Sequence, residues 1–253
     1  MEYGICNLAV IPLRAEASDK SEQLSQLLFG ETFEILEWTE RWVRIITTND
    51  NYEGWIGRLQ FAMLGHIAYT ALKQNQPPIT YRAVTQAWKT LDNSVLYLPV
   101  GSSLAFLRGT TCQINNEQFE IIGEIGETEA LDITAKSFLN TAYLWGGRTH
   151  YGIDCSGFTQ TVFKLQGIYL KRDAWMQAEQ GKIVDFLAEA RLGDLAFFDN
   201  AEGRITHVGI MLNNEQIIHA SGRVKIDRID NQGIYSEELK RYTHNLRIIK
   251  RFV

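Results

Sequence analysis

Up to about residue 127 the apolar positions of this chain keep a strand-like rhythm, and beyond it they change to a helical one. Phe33-Glu34-Ile35-Leu36-Glu37-Trp38, Trp42-Val43-Arg44-Ile45-Ile46 and Gly54-Trp55-Ile56 are short β-branched or aromatic runs. Turn residues separate them, most clearly Thr47-Thr48-Asn49-Asp50-Asn51. Such runs predict strands, and residues 1–65 are expected to form a small barrel of about five or six of them. A polar connector, Lys73-Gln74-Asn75-Gln76, and Pro77-Pro78 then open a second stretch. Val95 to Leu98, Ser103 to Leu107, Thr111 to Ile114 and Gln118 to Ile122 are again strand-like, with Asn115-Asn116 as a hairpin turn. Residues 66–127 are therefore expected to form a second small barrel or a β-rich linker domain.

In residues 128–253, Ala130 to Asn140 carries Leu131, Ala135, Phe138 and Leu139 at helical spacing. Cys155 to Gln166 predicts a second helix with Phe158, Val162, Phe163 and Leu165 on its core side and Gly167 as its stop. Strands are expected at Asp194–Phe198, Val208–Leu212, Gln216–His219 and Arg247–Phe252. Helices followed by antiparallel strands predict an α+β domain.

Composition narrows the function. The net charge of −5 comes without a long basic run, which disfavours nucleic acid and anionic membrane surfaces as partners. No run of 18 apolar residues is present, so no membrane span is expected. Cys6, Cys112 and Cys155 are too few and too scattered for a disulfide framework and suit a reducing compartment. The start of the chain has no basic segment, and Pro12 interrupts the stretch Leu8-Ala9-Val10-Ile11, so a cytoplasmic location is expected.

The candidate chemistry lies in three segments. Cys155 opens a predicted helix, and His207 and His219 lie on predicted paired strands. A helix N-terminus and a nearby imidazole both favour a thiolate, so the pattern predicts an activated thiol nucleophile. His207 is the expected base, and His219 the residue that holds its tautomer. This assignment requires both rings on one face of the hairpin. An odd-numbered loop centred near Asn213 would set His207 directly opposite His219, whereas a two-residue loop would turn them to opposite faces. Ordinary strand histidines, or a zinc site built from Cys155 and both histidines, are the alternative readings.

Five blocks in order carry a family resemblance: Tyr143-Leu144-Trp145-Gly146-Gly147, Gly152 to Phe158, Gly193 to Phe198, His207 to Ile210 and Ile218 to Gly222. They resemble the NlpC-type cell-wall cysteine peptidases, a papain-like group. The front of the chain, notably Gly54-Trp55-Ile56, is similar to bacterial SH3-like domains. The pairing resembles γ-D-glutamyl-L-diamino acid endopeptidases. It implies hydrolysis of the γ-D-glutamyl bond in peptidoglycan peptides bearing a free N-terminal L-Ala, without a metal or organic cofactor. That activity would serve muropeptide recycling.

The resemblance also implies the site: Cys155 as nucleophile, His207 as base and His219 as orienter. Glu16, Tyr52 and Asp154 would grip the substrate amine, and Ser156, Tyr143 and Arg172 would line the site. Glu16 and the neighbouring Glu53 also read as surface charges, Tyr52 as a rim aromatic and Asp154 as a helix cap. Ala174-Trp175 stands where relatives often carry a serine that touches the D-glutamyl carboxylate; Arg172 or Arg223 would replace it. A wall-binding protein with an inert third domain and a papain-like acyltransferase are the competing functions.

Overall fold

The computed structural model describes residues 1–252, in two compact units, Met1–Thr128 and Glu129–Val253. The first unit begins with β1 (Glu2–Ile5), β2 (Val10–Arg14), β3 (Gln23–Leu28), β4 (Thr32–Trp38), β5 (Trp42–Thr47), β6 (Glu53–Gly57) and β7 (Ala62–Leu64). These form one antiparallel sheet in the order β3-β2-β6-β5-β4-β1-β7. Alternation drives it. Val43 and Ile45 of β5 are buried, as are Ile11 and Leu13 of β2, while their neighbours face outward.

A helix, α1 (His66–Gln74), leads into a four-stranded sheet of β8 (Val84–Lys89), β9 (Ser94–Pro99), β10 (Thr111–Ile114) and β11 (Glu117–Ile122). Asn115 has φ 52, and Ile114 pairs with Glu117, which is the two-residue hairpin the sequence predicts. Ser103–Leu107 is not a strand. Phe106 has φ 58, and only Ser103 makes an isolated bridge, to Ile79. The two sheets share one core, in which Tyr3, Phe29 and Leu64 meet Leu98, Cys112 and Phe119.

The second unit holds α2 (Leu131–Lys136), the short pair β12 (Arg148–Thr149) and β13 (Gly152–Ile153), α3 (Cys155–Leu165) and α4 (Ala174–Ala178). Its strands are β14 (Lys182–Val184), β15 (Leu195–Asp199), β16 (Ile205–Met211), β17 (Gln216–Ser221), β18 (Arg223–Ile229), β19 (Gly233–Ser236) and β20 (Arg241–Arg251). They run β14-β20-β15-β16-β17-β18-β19, and β19 pairs back onto β20, so six strands close a ring with β14 outside it. The length of β20 permits this: its first half pairs with β19 and its second half with β15 and β14. The architecture is α+β, with antiparallel β structure ahead of a mixed unit.

Helix α3 starts and stops where expected. The Asp154 carboxylate accepts a hydrogen bond from the Gly157 N–H at 2.6 Å, and Gly167 follows the last turn with φ 76. The predicted one-sided helix is instead buried all round, every residue from Cys155 to Leu165 being buried. Helix α2 is shorter than the predicted Ala130–Asn140 segment and gives way to turns ending at Asn140, which has φ 67.

Candidate active site

Cys155 is the first residue of α3, which packs against β16 and β17. Its Sγ lies 4.0 Å from the Thr206 carbonyl oxygen and receives a hydrogen bond from the Val208 backbone N–H. The sulfur therefore rests on the backbone of β16 on both sides of His207. Its first-turn position also places it among backbone N–H groups that the helix itself does not satisfy.

Burial works against the expected ionised thiol. Burial, and then the charge of Asp154, push the Cys155 thiol up to about 12. Hydrogen bonds from Val208 and Ser156 and the charge of Arg172 pull the other way and are outweighed. Burial, followed by the neighbouring His244 and His219, drives His207 well below its ordinary value. Burial thus favours the neutral forms of both the thiol and the imidazoles.

The two histidines share one face but are not directly opposite. Met211 pairs with Ile217, Leu212 donates to the Gln216 carbonyl, and the loop is 213–215. It has an odd number of residues, as the same-face arrangement needs, but is centred on Asn214 instead of Asn213. His219 consequently pairs with Gly209, and His207 is its diagonal neighbour. Histidine can bridge that diagonal, and His207 Nε2 lies 2.9 Å from His219 Nδ1. Gly209 makes room: a Cβ there would lie 2.8 Å from the Cβ of His219.

Two residues absent from the sequence reading complete the cluster. Asp227 on β18 lies with its Oδ2 3.1 Å from His219 Nε2 and the same distance from Lys225 Nζ. His244 on β20 stacks on His207, with ring centroids 4.0 Å apart and planes 24° apart. The Gly209-His219-Lys225 alignment brings Asp227 onto the histidine face, and the closure of β19 onto β20 brings in His244. Neither belongs to a motif. The three histidines also bring ligand nitrogens within 4.8 Å of one another, enough to hold a metal ion. A cation there would displace the 2.9 Å His207–His219 hydrogen bond.

Asp154, Ser156 and Arg172 form a second buried cluster beside the nucleophile. Arg172, 1% exposed, donates to both Asp154 oxygens at 2.5 and 3.1 Å and to Ser156 Oγ at 2.9 Å. The Gly146 N–H donates to Asp154 Oδ2 at 2.8 Å. Asp154 thus caps α3, and Arg172 is bound to that cap. Gln177 of α4 ties the same turn down, donating to the Ser156 and Lys171 carbonyls and accepting from Thr159 Oγ1. Gly157 allows the close approach, since a Cβ on it would stand 2.2 Å from the Gly147 carbonyl.

Tyr143 is half-buried near this cluster. Its phenol is pushed up by burial and then by the charges of Cys155 and Asp154, while Arg172 acts in the opposite sense. Ala174, which is buried, and Trp175, which is exposed, open α4. Glu16 and Tyr52 belong to the first unit. Glu16 is exposed after β2, with its N–H bonded to Ser21 Oγ, and Tyr52 packs against the core of the seven-stranded sheet.

Comparison with known proteins gives this arrangement its context. Residues 140–243 match the NlpC/P60 family, and residues 13–58 match the bacterial dipeptidyl-peptidase SH3 domain. Residues 140–243 therefore form an NlpC/P60 family domain. This NlpC/P60 protein is a cysteine peptidase by family, preceded by SH3-like β structure. It is 29% identical over 237 residues to the γ-D-glutamyl-L-lysine dipeptidyl-peptidase of Bacillus subtilis (strain 168), covering 85% of this chain and 78% of that one. Dipeptidyl-peptidase 6 of Lysinibacillus sphaericus is 27% identical over 259 residues, with 90% and 92% covered. A crystal structure of an NlpC/P60 family protein from Bacillus cereus ATCC 10987 superimposes with a TM-score of 0.80 at 19% identity, over 98% of this chain and 99% of that one. That likeness establishes the fold.

Proposed function

We propose that this peptidase releases L-Ala-γ-D-Glu from free peptidoglycan peptides by cleaving the amide to the diamino acid. The observation that carries the reading is the Cys155 sulfur against the backbone of Thr206 and Val208, the residues flanking His207, with His219 Nδ1 2.9 Å from His207 Nε2. The named relatives align through both units, and a dipeptidyl-peptidase acts from a free amino end.

Cys155 is the nucleophile and His207 the base. As the sulfur attacks the γ-carbonyl carbon, His207 takes the thiol proton. N–H groups of the first turn of α3 hold the oxyanion, and each such donor is typically worth about 2.7–4 kcal/mol. The C–N bond then breaks, His207 protonates the departing amine, and water hydrolyses the thioester with His207 again as base. Tyr143 and Ser156 line the reacting carbonyl.

Glu16 and Tyr52 are proposed to hold the substrate ammonium, which rejects acylated N-termini. Each charge-assisted hydrogen bond contributes about 1.5–3 kcal/mol, so two would discriminate by several powers of ten. An enzyme of that selectivity acts on peptides already cut from the glycan, as recycling in the cytoplasm requires.

Incubation with L-Ala-γ-D-Glu-L-Lys and its N-acetyl form, followed by mass spectrometry, tests this reading. Release of L-Ala-γ-D-Glu from the free peptide only, abolished by Cys155→Ala, is expected. No dipeptide from wild-type protein would overturn it.

A further inference from the structure

His219 lies between a buried carboxylate and a second buried imidazole, and that position fixes where the protons are. A carboxylate accepts and does not donate, so the 3.1 Å contact from Asp227 Oδ2 requires the proton of His219 on Nε2. Neutral His219 then presents a bare Nδ1. Its 2.9 Å partner, His207 Nε2, must donate. A neutral His207 protonated on Nε2 has a bare Nδ1, the atom needed to take a thiol proton. Asp227 thus determines the tautomer of a ring it does not touch.

Charge placement follows the same line. A proton added to His219 sits 3.1 Å from the Asp227 carboxylate. A proton left on His207 sits between the ring of Phe198 and the stacked ring of His244. Lys225, the other group bound to Asp227, is shared with Glu238 at 3.5 Å. Its hydrogen bond and that of His219 overcome the effect of burial and hold the Asp227 carboxyl below its ordinary value.

We propose that Asp227 is a positioning residue of this peptidase, which sets His207 in the tautomer with Nδ1 open and draws the catalytic positive charge onto His219. The inference rests on the reading of Cys155 and His207 given above. As the sulfur bonds to the carbonyl carbon, its proton goes to His207 Nδ1, and the Nε2 proton of His207 goes to His219 Nδ1. His219 becomes the imidazolium, and its positive charge balances the negative charge on the oxyanion. When the C–N bond breaks, His219 returns its Nδ1 proton to His207 Nε2, and His207 gives its Nδ1 proton to the amine nitrogen. Every proton taken in the first step is returned in the second.

Nitrogen-15 NMR of histidine-labelled protein reads the resting tautomers without substrate. His207 and His219 should both carry their proton on Nε2 in the wild type, and His207 should lose that preference in Asp227→Asn. By analogy with the isosteric change in serine hydrolase triads, kcat should fall by at least about tenfold, with KM within about threefold. A proton inventory of wild-type acylation should curve, because two protons move. His207 protonated on Nδ1 in the wild type, a linear inventory, or a folded Asp227→Asn variant with wild-type kcat would overturn the assignment. The expected tautomers in a chain that hydrolyses no peptide would support the Asp227 assignment and overturn the substrate reading instead.

Discussion

Replacing Arg172 by Met tests whether this arginine serves the substrate or the fold. The guanidinium is 1% exposed and donates to both Asp154 oxygens and to Ser156 Oγ. Methionine fills much of the same volume but removes the cation paired with the Asp154 carboxylate, leaving it the Gly146 and Gly157 N–H groups and the Ser156 hydroxyl as donors. Removing one partner of a buried ion pair costs about 3–5 kcal/mol. The second unit spans Glu129–Val253, and a domain of that size loses about 3–5 °C of Tm per kcal/mol, so its melting point should fall by roughly 10–20 °C. Differential scanning calorimetry measures this. The double variant Arg172→Met with Asp154→Asn should recover part of the loss, because no uncompensated charge remains. If Arg172 were instead held ready for a substrate carboxylate, the single variant would melt like the wild type and show only a raised KM. That result would refute the cap-holding role.

Gly209→Ala should cost about 1–3 kcal/mol by overpacking, and should lower kcat/KM at least about tenfold, because the new Cβ meets the His219 Cβ at 2.8 Å and no rotamer relieves that contact; unchanged kinetics would show that the imidazole pair tolerates displacement. Because burial holds the Cys155 thiol at about 12, its alkylation in the free protein should climb about tenfold per pH unit between about pH 7 and 9, and a plateau at neutral pH would reveal a preformed thiolate. Burial depresses His207, His219 and His244, the last to about 4, so the unfolded chain binds more protons than the folded one below about pH 6.5. The stability these rings contribute is complete above that pH and is lost as pH falls toward about 4, by up to about 1.4 kcal/mol per pH unit for each buried ring; a Tm that stays flat between about pH 7 and 5 would contradict it.

Local signals made much of the site legible in the sequence. Asp154 caps α3 and Gly167 ends it, so Cys155 could be placed on a helix tip without tertiary information. The same-face relation of His207 and His219 followed from hairpin parity, although the loop centre was one residue off. The rest depends on distant pairings. Asp227 joins the site because β18 aligns Lys225 with His219, and His244 because β20 closes the ring; neither event leaves a local pattern. Helix α1 escaped detection because Tyr69 is its only buried residue. The full burial of α3 likewise removes the polar face on which helical periodicity depends. An isolated arginine in sequence also gives no sign that Arg172 will be bound by a carboxylate 18 residues away.

Burial that favours the neutral thiol and imidazole bears on where the catalytic power lies. With the thiol pushed up to about 12, removal of its proton during attack avoids a lone buried thiolate. The charges that then appear need separate, preformed partners. In the proposed mechanism the oxyanion develops beside the first turn of α3, whose N–H groups are held in place by the Asp154 cap and by Arg172. The cation would develop on His219, which is hydrogen-bonded to the Asp227 carboxylate. Fixed dipoles and a fixed carboxylate stabilise those charges without reorganising. Burial makes the free thiol inert and, through the same low dielectric, strengthens both stabilising interactions once substrate excludes the remaining water. The feature that weakens the isolated nucleophile is therefore the one that makes its activation conditional on a bound peptide.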